Sequence, residues 1–129
     1  MTQQPTSPPR DSGYATVTGP AGTVIIRPQV VFTLAVTAAL STYGVVGIAS
    51  RYTGFDVTRR DPRRGLDVKI TQRNDGTHVN VDAHLIVEYG VRVEAVADSV
   101  QHQISYRIER STGFAVDSVN VHIVRLHPA

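Results

Sequence analysis

The sequence predicts an α+β fold, a two-layer sandwich in which two helices pack on one face of a small mixed β-sheet. Three observations carry that expectation. Val79, Val81, Ala83, Leu85 and Val87 point one way while Asn80, Asp82, His84, Ile86 and Glu88 point the other, the period of two that marks a strand with one buried face. Val93, Val96, Ala97, Val100, Ile104 and Ile108 then recur at helical spacing. Beyond them Val119, Val121 and Ile123 alternate with Asn120, His122 and Val124, so the C-terminal third reads strand, helix, strand.

The elements follow in chain order. Residues 1–18 are rich in Pro, Ser, Thr and Gln and have few bulky apolar groups to offset their ordering entropy, so they read as a flexible tail before one domain at 19–127. Gly19-Pro20-Ala21-Gly22 reads as a turn, and Thr23 to Ile26 as a short strand ended by Arg27-Pro28. Pro28 suits the first turn of a helix, which runs to about Tyr43 and stops at Gly44. The segment around Val45 either forms an extra short strand or does not, which leaves β-α-β-β-β-α-β or β-α-β-β-α-β. Residues 51–65, with Gly54, Pro62 and five arginines, read as a loop. Leu66, Val68 and Ile70 alternate with Asp67, Lys69 and Thr71, and Asn74-Asp75-Gly76 supplies a hairpin turn because its residues tolerate positive φ. In the second helix Glu94 and Asp98 lie early and Arg107 and Arg110 late, as the helix dipole favours, and Gly113 is the expected stop.

A chain of 129 residues, 41% hydrophobic, makes one modest core. It has no cysteine, which excludes disulfides, thiolate metal sites and a cysteine nucleophile. The formal charge is only +2, and Lys69 is the one lysine among 13 basic residues. The N-terminus lacks a basic segment leading into an apolar one, so a cytoplasmic protein is expected. From Val30 to Ala49 no residue is charged, and about 20 helical residues extend about 30 Å, the thickness of a bilayer core. Against a span, Gly44 and Gly47 interrupt the stretch, while Thr33, Thr37 and Ser41 recur every four residues as a polar stripe.

No constellation of catalytic residues stands out. Asp82 and His84 share a strand face that His122 can join, but no metal-ligand spacing supports a site, and His78, His102 and His127 show no partners. Ser99, Ser105, Ser111 and Ser118 lie in no nucleophile turn. Arg59, Arg60, Arg63 and Arg64 can in principle contact an anion or nucleic acid. Asp56 and Asp61 dilute that charge, and the only aromatics, Tyr52 and Phe55, stand at the start of the loop, so a solvated connection is the stronger reading. On the first helix Val31, Leu34, Ala35 and Ala38 take one side and Phe32, Val36 and Tyr43 lie further round. This apolar arc of roughly 200° exceeds what one buried face needs. The excess is either an interface or packing against the second helix in the same layer, and Phe32, Val36 and Tyr43 are the candidate interaction residues if it is an interface.

Glu88-Tyr89-Gly90, Val100-Gln101, Ser111-Thr112-Gly113-Phe114 and the run Val-Asp-Ser-Val-Asn-Val from Val116 to Val121 together resemble the alkaline shock protein family of bacterial envelope-stress proteins. Gly22-Thr23-Val24-Ile25-Ile26, the apolar helix after Pro28 and Tyr43-Gly44-Val45-Val46-Gly47 extend the resemblance from about Gly19 to Leu126. It implies a non-enzymatic protein linked to cell-envelope stress, with no catalytic motif to carry over and no cofactor expected; the apolar arc of the first helix adds the expectation of protein–protein association, with itself as a homo-oligomer or with an envelope-linked partner. Some members are cytoplasmic and held at the membrane by a separate anchor protein, and others are linked to lipid-synthesis genes. The chain departs from the family pattern in its first helix, which carries no charge between Pro28 and Ser50. The alternative is a small RNA- or anion-binding module using residues 51–65.

Overall fold

A computed structural model of the chain describes residues 15–49 and 65–128. Along the chain it forms β1 (Ala15–Gly19), β2 (Gly22–Ile26), α1 (Pro28–Ser41), β3 (Val45–Ile48), β4 (Leu66–Arg73), β5 (Gly76–Glu88), α2 (Val93–Thr112) and β6 (Ala115–His127). The larger sheet is mixed and centred on β5. Strand β6 runs parallel along one edge of β5, from His78 to Glu88. The other edge is shared end to end by two antiparallel strands, β4 opposite Gly76 to Ala83 and β3 opposite Leu85 to Val87. Between them His84 closes the seam, donating its N–H to the Gly65 carbonyl at 2.7 Å and accepting from the Ala49 N–H at 2.8 Å.

Both helices cover the same side. Helix α1 packs on β3, β4 and α2, and α2 packs on β6. The apolar rows meet there in a single core: Val79, Val81, Ala83, Leu85 and Val87 from β5, Val31, Ala35, Ala38 and Ala39 from α1, and Val96, Val100, Ile104 and Ile108 from α2. Three alanines on the buried face of α1 keep side-chain bulk small and so allow close approach. Each buried Val or Ile contributes about 1.5–3 kcal/mol relative to exposure.

The sandwich, the mixed sheet and the two helices are as the periodicity predicts, with two local differences. The optional segment is a real strand, β3. Residues 15–18 of the stretch read as a tail form β1, which pairs antiparallel with β2 from Ala15 opposite Ile26 to Gly19 opposite Gly22. The physical reason is pairing: an isolated Ala-Thr-Val-Thr buries too little alone, but the two-residue Pro20-Ala21 turn brings β2 alongside to satisfy its backbone. The rest of the tail and residues 51–64 of the arginine loop lie outside the described residues.

Helix α1 begins with Pro28 and ends at Ser41, not at Tyr43. The Thr42 hydroxyl donates to the Ala38 carbonyl at 2.9 Å and its N–H to Ala39 at 3.2 Å, while Thr42 itself is already extended. Gly44, at φ +93°, belongs to the turn that follows. Fourteen residues span about 21 Å. No helix among the described residues is long and apolar enough to cross a membrane. Thr33, Thr37 and Ser41 are exposed as expected, and the Thr33 and Ser41 hydroxyls donate to carbonyls one turn back.

The β4–β5 turn is the expected hairpin, with Arg73 opposite Gly76, but only Gly76 takes positive φ and neither Asn74 nor Asp75 does. Helix α2 ends as predicted at Gly113, which adopts the left-handed conformation and donates to the Glu109 carbonyl at 2.9 Å.

Candidate interaction surface

One end of the sandwich gathers large side chains that the core does not use. The Glu88 N–H donates to the Gly44 carbonyl at 2.8 Å, and the residues flanking that bond are Tyr43 and Tyr89. Tyr43 is 82% exposed and Tyr89 68%. The Tyr89 N–H donates to the His127 carbonyl at 2.6 Å, so β3, β5 and β6 all terminate or begin here. Val46 is the extra residue of a bulge between the Val45–Val87 and Gly47–Ile86 pairs, and its side chain is also exposed. A bulge re-aims side chains and interrupts pairing, so it leaves Val46 outside the ladder.

The turn that presents Tyr43 is fixed tightly against α2. A Cβ added to Gly44 would lie 2.8 Å from the Val96 Cγ2. Beside Tyr43 runs a shallow groove of about 280 Å³ lined by Val91, Arg92, Ala95, Val96 and Ser99. An aromatic ring with a polar tip, next to an apolar groove rimmed by an arginine and a serine, suits protein recognition: the ring supplies contact area and the hydroxyl a directional bond. The Arg92–Glu94 pair at 3.8 Å is well exposed and contributes little to stability.

The three residues singled out from sequence separate. Tyr43 stands at this surface. Phe32 and Val36 are half-buried against the core, and Phe32 lines a different groove of about 440 Å³ with Arg27, Pro28, Gln29, Leu66, Asp67 and Val68. Part of the wide apolar arc on α1 is thus turned towards β4. Tyr89 and Val46 were not singled out. Tyr89 belongs to the Glu88-Tyr89-Gly90 run that carried the family resemblance, and an aromatic next to a glycine just after a long strand is the signal that points to it. Arg59, Arg60, Arg63 and Arg64 lie outside the described residues.

The sheet face away from the helices carries Asn80, Asp82 and His84, with His122 directly opposite His84. The two imidazoles stack with centroids 4.4 Å apart and planes within 6°, and the His84 Nδ1 lies 3.2 Å from the Gly65 carbonyl oxygen. The Ser118 hydroxyl donates to the Asn80 Oδ1 at 2.7 Å. Among the described residues no group of three His, Cys, Asp or Glu side chains is arranged to hold a metal ion. His78, for which the sequence shows no partner, is on β5 and 9% exposed, with a carboxylate at each ring nitrogen. Gln101, one of the residues that carried the family resemblance, has a structural role: its Nε2 donates to the Val119 carbonyl at 3.0 Å and ties α2 to β6.

Comparison with known proteins adds to this picture. Residues 17–128 match the alkaline shock protein 23 family, described as having a cell envelope-related function. The uncharacterized protein YloU of Bacillus subtilis is 33% identical over 107 residues, covering 79% of this chain and 86% of its own. YqhY of the same organism is 31% identical over 104 residues, 80% of this chain and 76% of its own. An uncharacterized protein of Streptococcus pyogenes is 26% identical over 107 residues, 79% of this chain and 85% of its own. No solved structure matches the chain.

Proposed function

Because the chain belongs to the alkaline shock protein 23 family, whose function is cell envelope-related, we propose that it serves the envelope as a non-enzymatic association module. It binds a protein partner or further copies of itself through the Tyr43–Tyr89 end, and it acts at the cytoplasmic face of the membrane through a separate anchoring protein. The observation that carries this reading is the pair of exposed tyrosines on adjoining strand ends, beside a groove with apolar walls. Tyrosines in such settings are frequent binding hot spots, and among the described residues neither side chain belongs to the core.

The test is a double variant, Tyr43→Ser with Tyr89→Ser, examined by membrane co-fractionation from native cells and by light scattering of the purified protein. Both side chains are solvent-facing, so the melting temperature should hardly move. Loss of two hot-spot side chains should weaken association at least about tenfold, which corresponds to about 1.4 kcal/mol. Unchanged fractionation and unchanged particle size would refute the assignment of this surface. A matching double change at Tyr106 and Val124, exposed elsewhere on the molecule, is the control.

A further inference from the structure

At the opposite end of β5 an imidazole is held by two acids. The His78 Nδ1 lies 2.7 Å from the Asp117 Oδ1, and its Nε2 lies 2.9 Å from the Asp75 Oδ1. A neutral imidazole carries one N–H and one lone pair, so it can donate to only one carboxylate; both contacts are satisfied only by the imidazolium. The three side chains come from separate parts of the chain. Asp75 sits in the β4–β5 turn, His78 on β5, and Asp117 is the extra residue of a bulge in β6, between the Val79–Val116 and Asn80–Ser118 pairs. Arg73 of β4 adds an ion pair to the Asp117 Oδ2 at 3.1 Å. Thr71 of β4 and Ala115 of β6 stand opposite His78 in register and carry no charge. From α2, Glu109 accepts a bond from the Val116 N–H at 3.3 Å. Among the described residues the charged groups at this corner are therefore Arg73, Asp75, Glu109 and Asp117.

We propose that His78 is a pH-responsive clasp: charged, it binds the β4–β5 turn to the bulge of β6, and on losing one proton to solvent it lets the turn go. The geometry says which contact breaks. Asp117 is the less exposed acid and keeps Arg73, whereas Asp75 is 73% exposed and readily solvated. The neutral ring therefore keeps its Nδ1–H on Asp117 and turns the bare Nε2 lone pair towards Asp75, which moves to water. The hydrogen bond to Asp117, and then that to Asp75, raise the His78 pKa above its ordinary 6.5. The bond to His78 in turn lowers the Asp75 pKa below its ordinary 3.8. A raised histidine contributes its stabilisation fully below its unfolded value and loses it as pH rises through the folded one. A depressed carboxylate loses its share as pH falls through its own lowered value. The clasp is thus closed between the lowered Asp75 value and the raised His78 value, and opens on the alkaline side. It is independent of the association surface, which lies about 33 Å away along ten residues of strand.

The test combines a proton NMR titration of the histidines with amide exchange of the full chain, from about pH 5 to about pH 9. His78 should titrate above the ordinary histidine value. Protection at Gly76 and Thr77, taken as a ratio to a His78→Gln variant at the same pH, should be severalfold above one at low pH and fall to one as His78 deprotonates. A His78 midpoint at or below 6.5, or a ratio constant across the range, overturns the clasp. If His78→Gln does not fold, Asp75→Asn carries the test, since it keeps the ring and its bond to Asp117. Its His78 midpoint must drop below that of the wild type, and an unchanged midpoint overturns the proposal.

Discussion

Gly44→Ala probes how the interaction surface is held in place. At φ +93° an L-residue meets its own carbonyl, which costs about 1–2 kcal/mol. The new methyl would also stand 2.8 Å from the Val96 Cγ2, closer than side-chain carbons pack. Forcing an extra carbon into filled space costs about 1–3 kcal/mol more, and Val96 is 5% exposed with little room to yield. The total is about 2–5 kcal/mol. Gly90→Ala is the internal reference: φ is +96°, but nothing lies within 4 Å of the added carbon, so only the backbone contribution remains. Urea unfolding of both variants gives the difference directly, expected at about 1–3 kcal/mol. Adding Val96→Ala to Gly44→Ala removes the clashing methyls, so the pair should show a favourable coupling in a double-mutant cycle. Equal losses for Gly44→Ala and Gly90→Ala, with no coupling to Val96, would show that the turn does not rest on α2 and would refute this account.

Two further outcomes follow from side chains with defined partners. Val36→Glu places a carboxylate on a half-buried site against the core and should cost about 1–3 kcal/mol by thermal unfolding without changing the oligomeric state; a shift to monomer at constant stability would make α1 the interface instead. Gln101→Leu removes the donor from the Val119 carbonyl and should cost about 1 kcal/mol in chemical denaturation, while an unchanged midpoint would mean that water replaces it fully.

What the sequence disclosed divides along one physical line. Single-element periodicity was sufficient for β5 and α2, because each buries one face over many residues and the apolar spacing repeats enough times to be read. The family resemblance was likewise carried by short local runs such as Ser111 to Phe114. Strand β1 escaped because its order comes from pairing with β2, which composition does not record. The separation of Phe32 and Val36 from Tyr43 escaped for a related reason: a helical wheel continues through residue 43, but the chain leaves the helix at Ser41. The partners of His78 escaped because they lie 3 and 39 residues away, and the distant one sits on a bulge that no alternation pattern marks.

The central position of β5 has a kinetic consequence. Among the described residues each other strand of the larger sheet pairs only with β5, so this sheet grows outward from one strand. Joining β4 to it closes only a two-residue turn, whereas β3 and β6 each wait for a long stretch of chain to fold back, and the entropy of closing those loops must be met before their contacts help. The β4–β5 hairpin is then the template and the two later strands are docking events. In a chevron experiment, Ile70→Val in β4 should mainly slow refolding and Val45→Ala in β3 should mainly hasten unfolding; the reverse pattern would place the nucleus elsewhere.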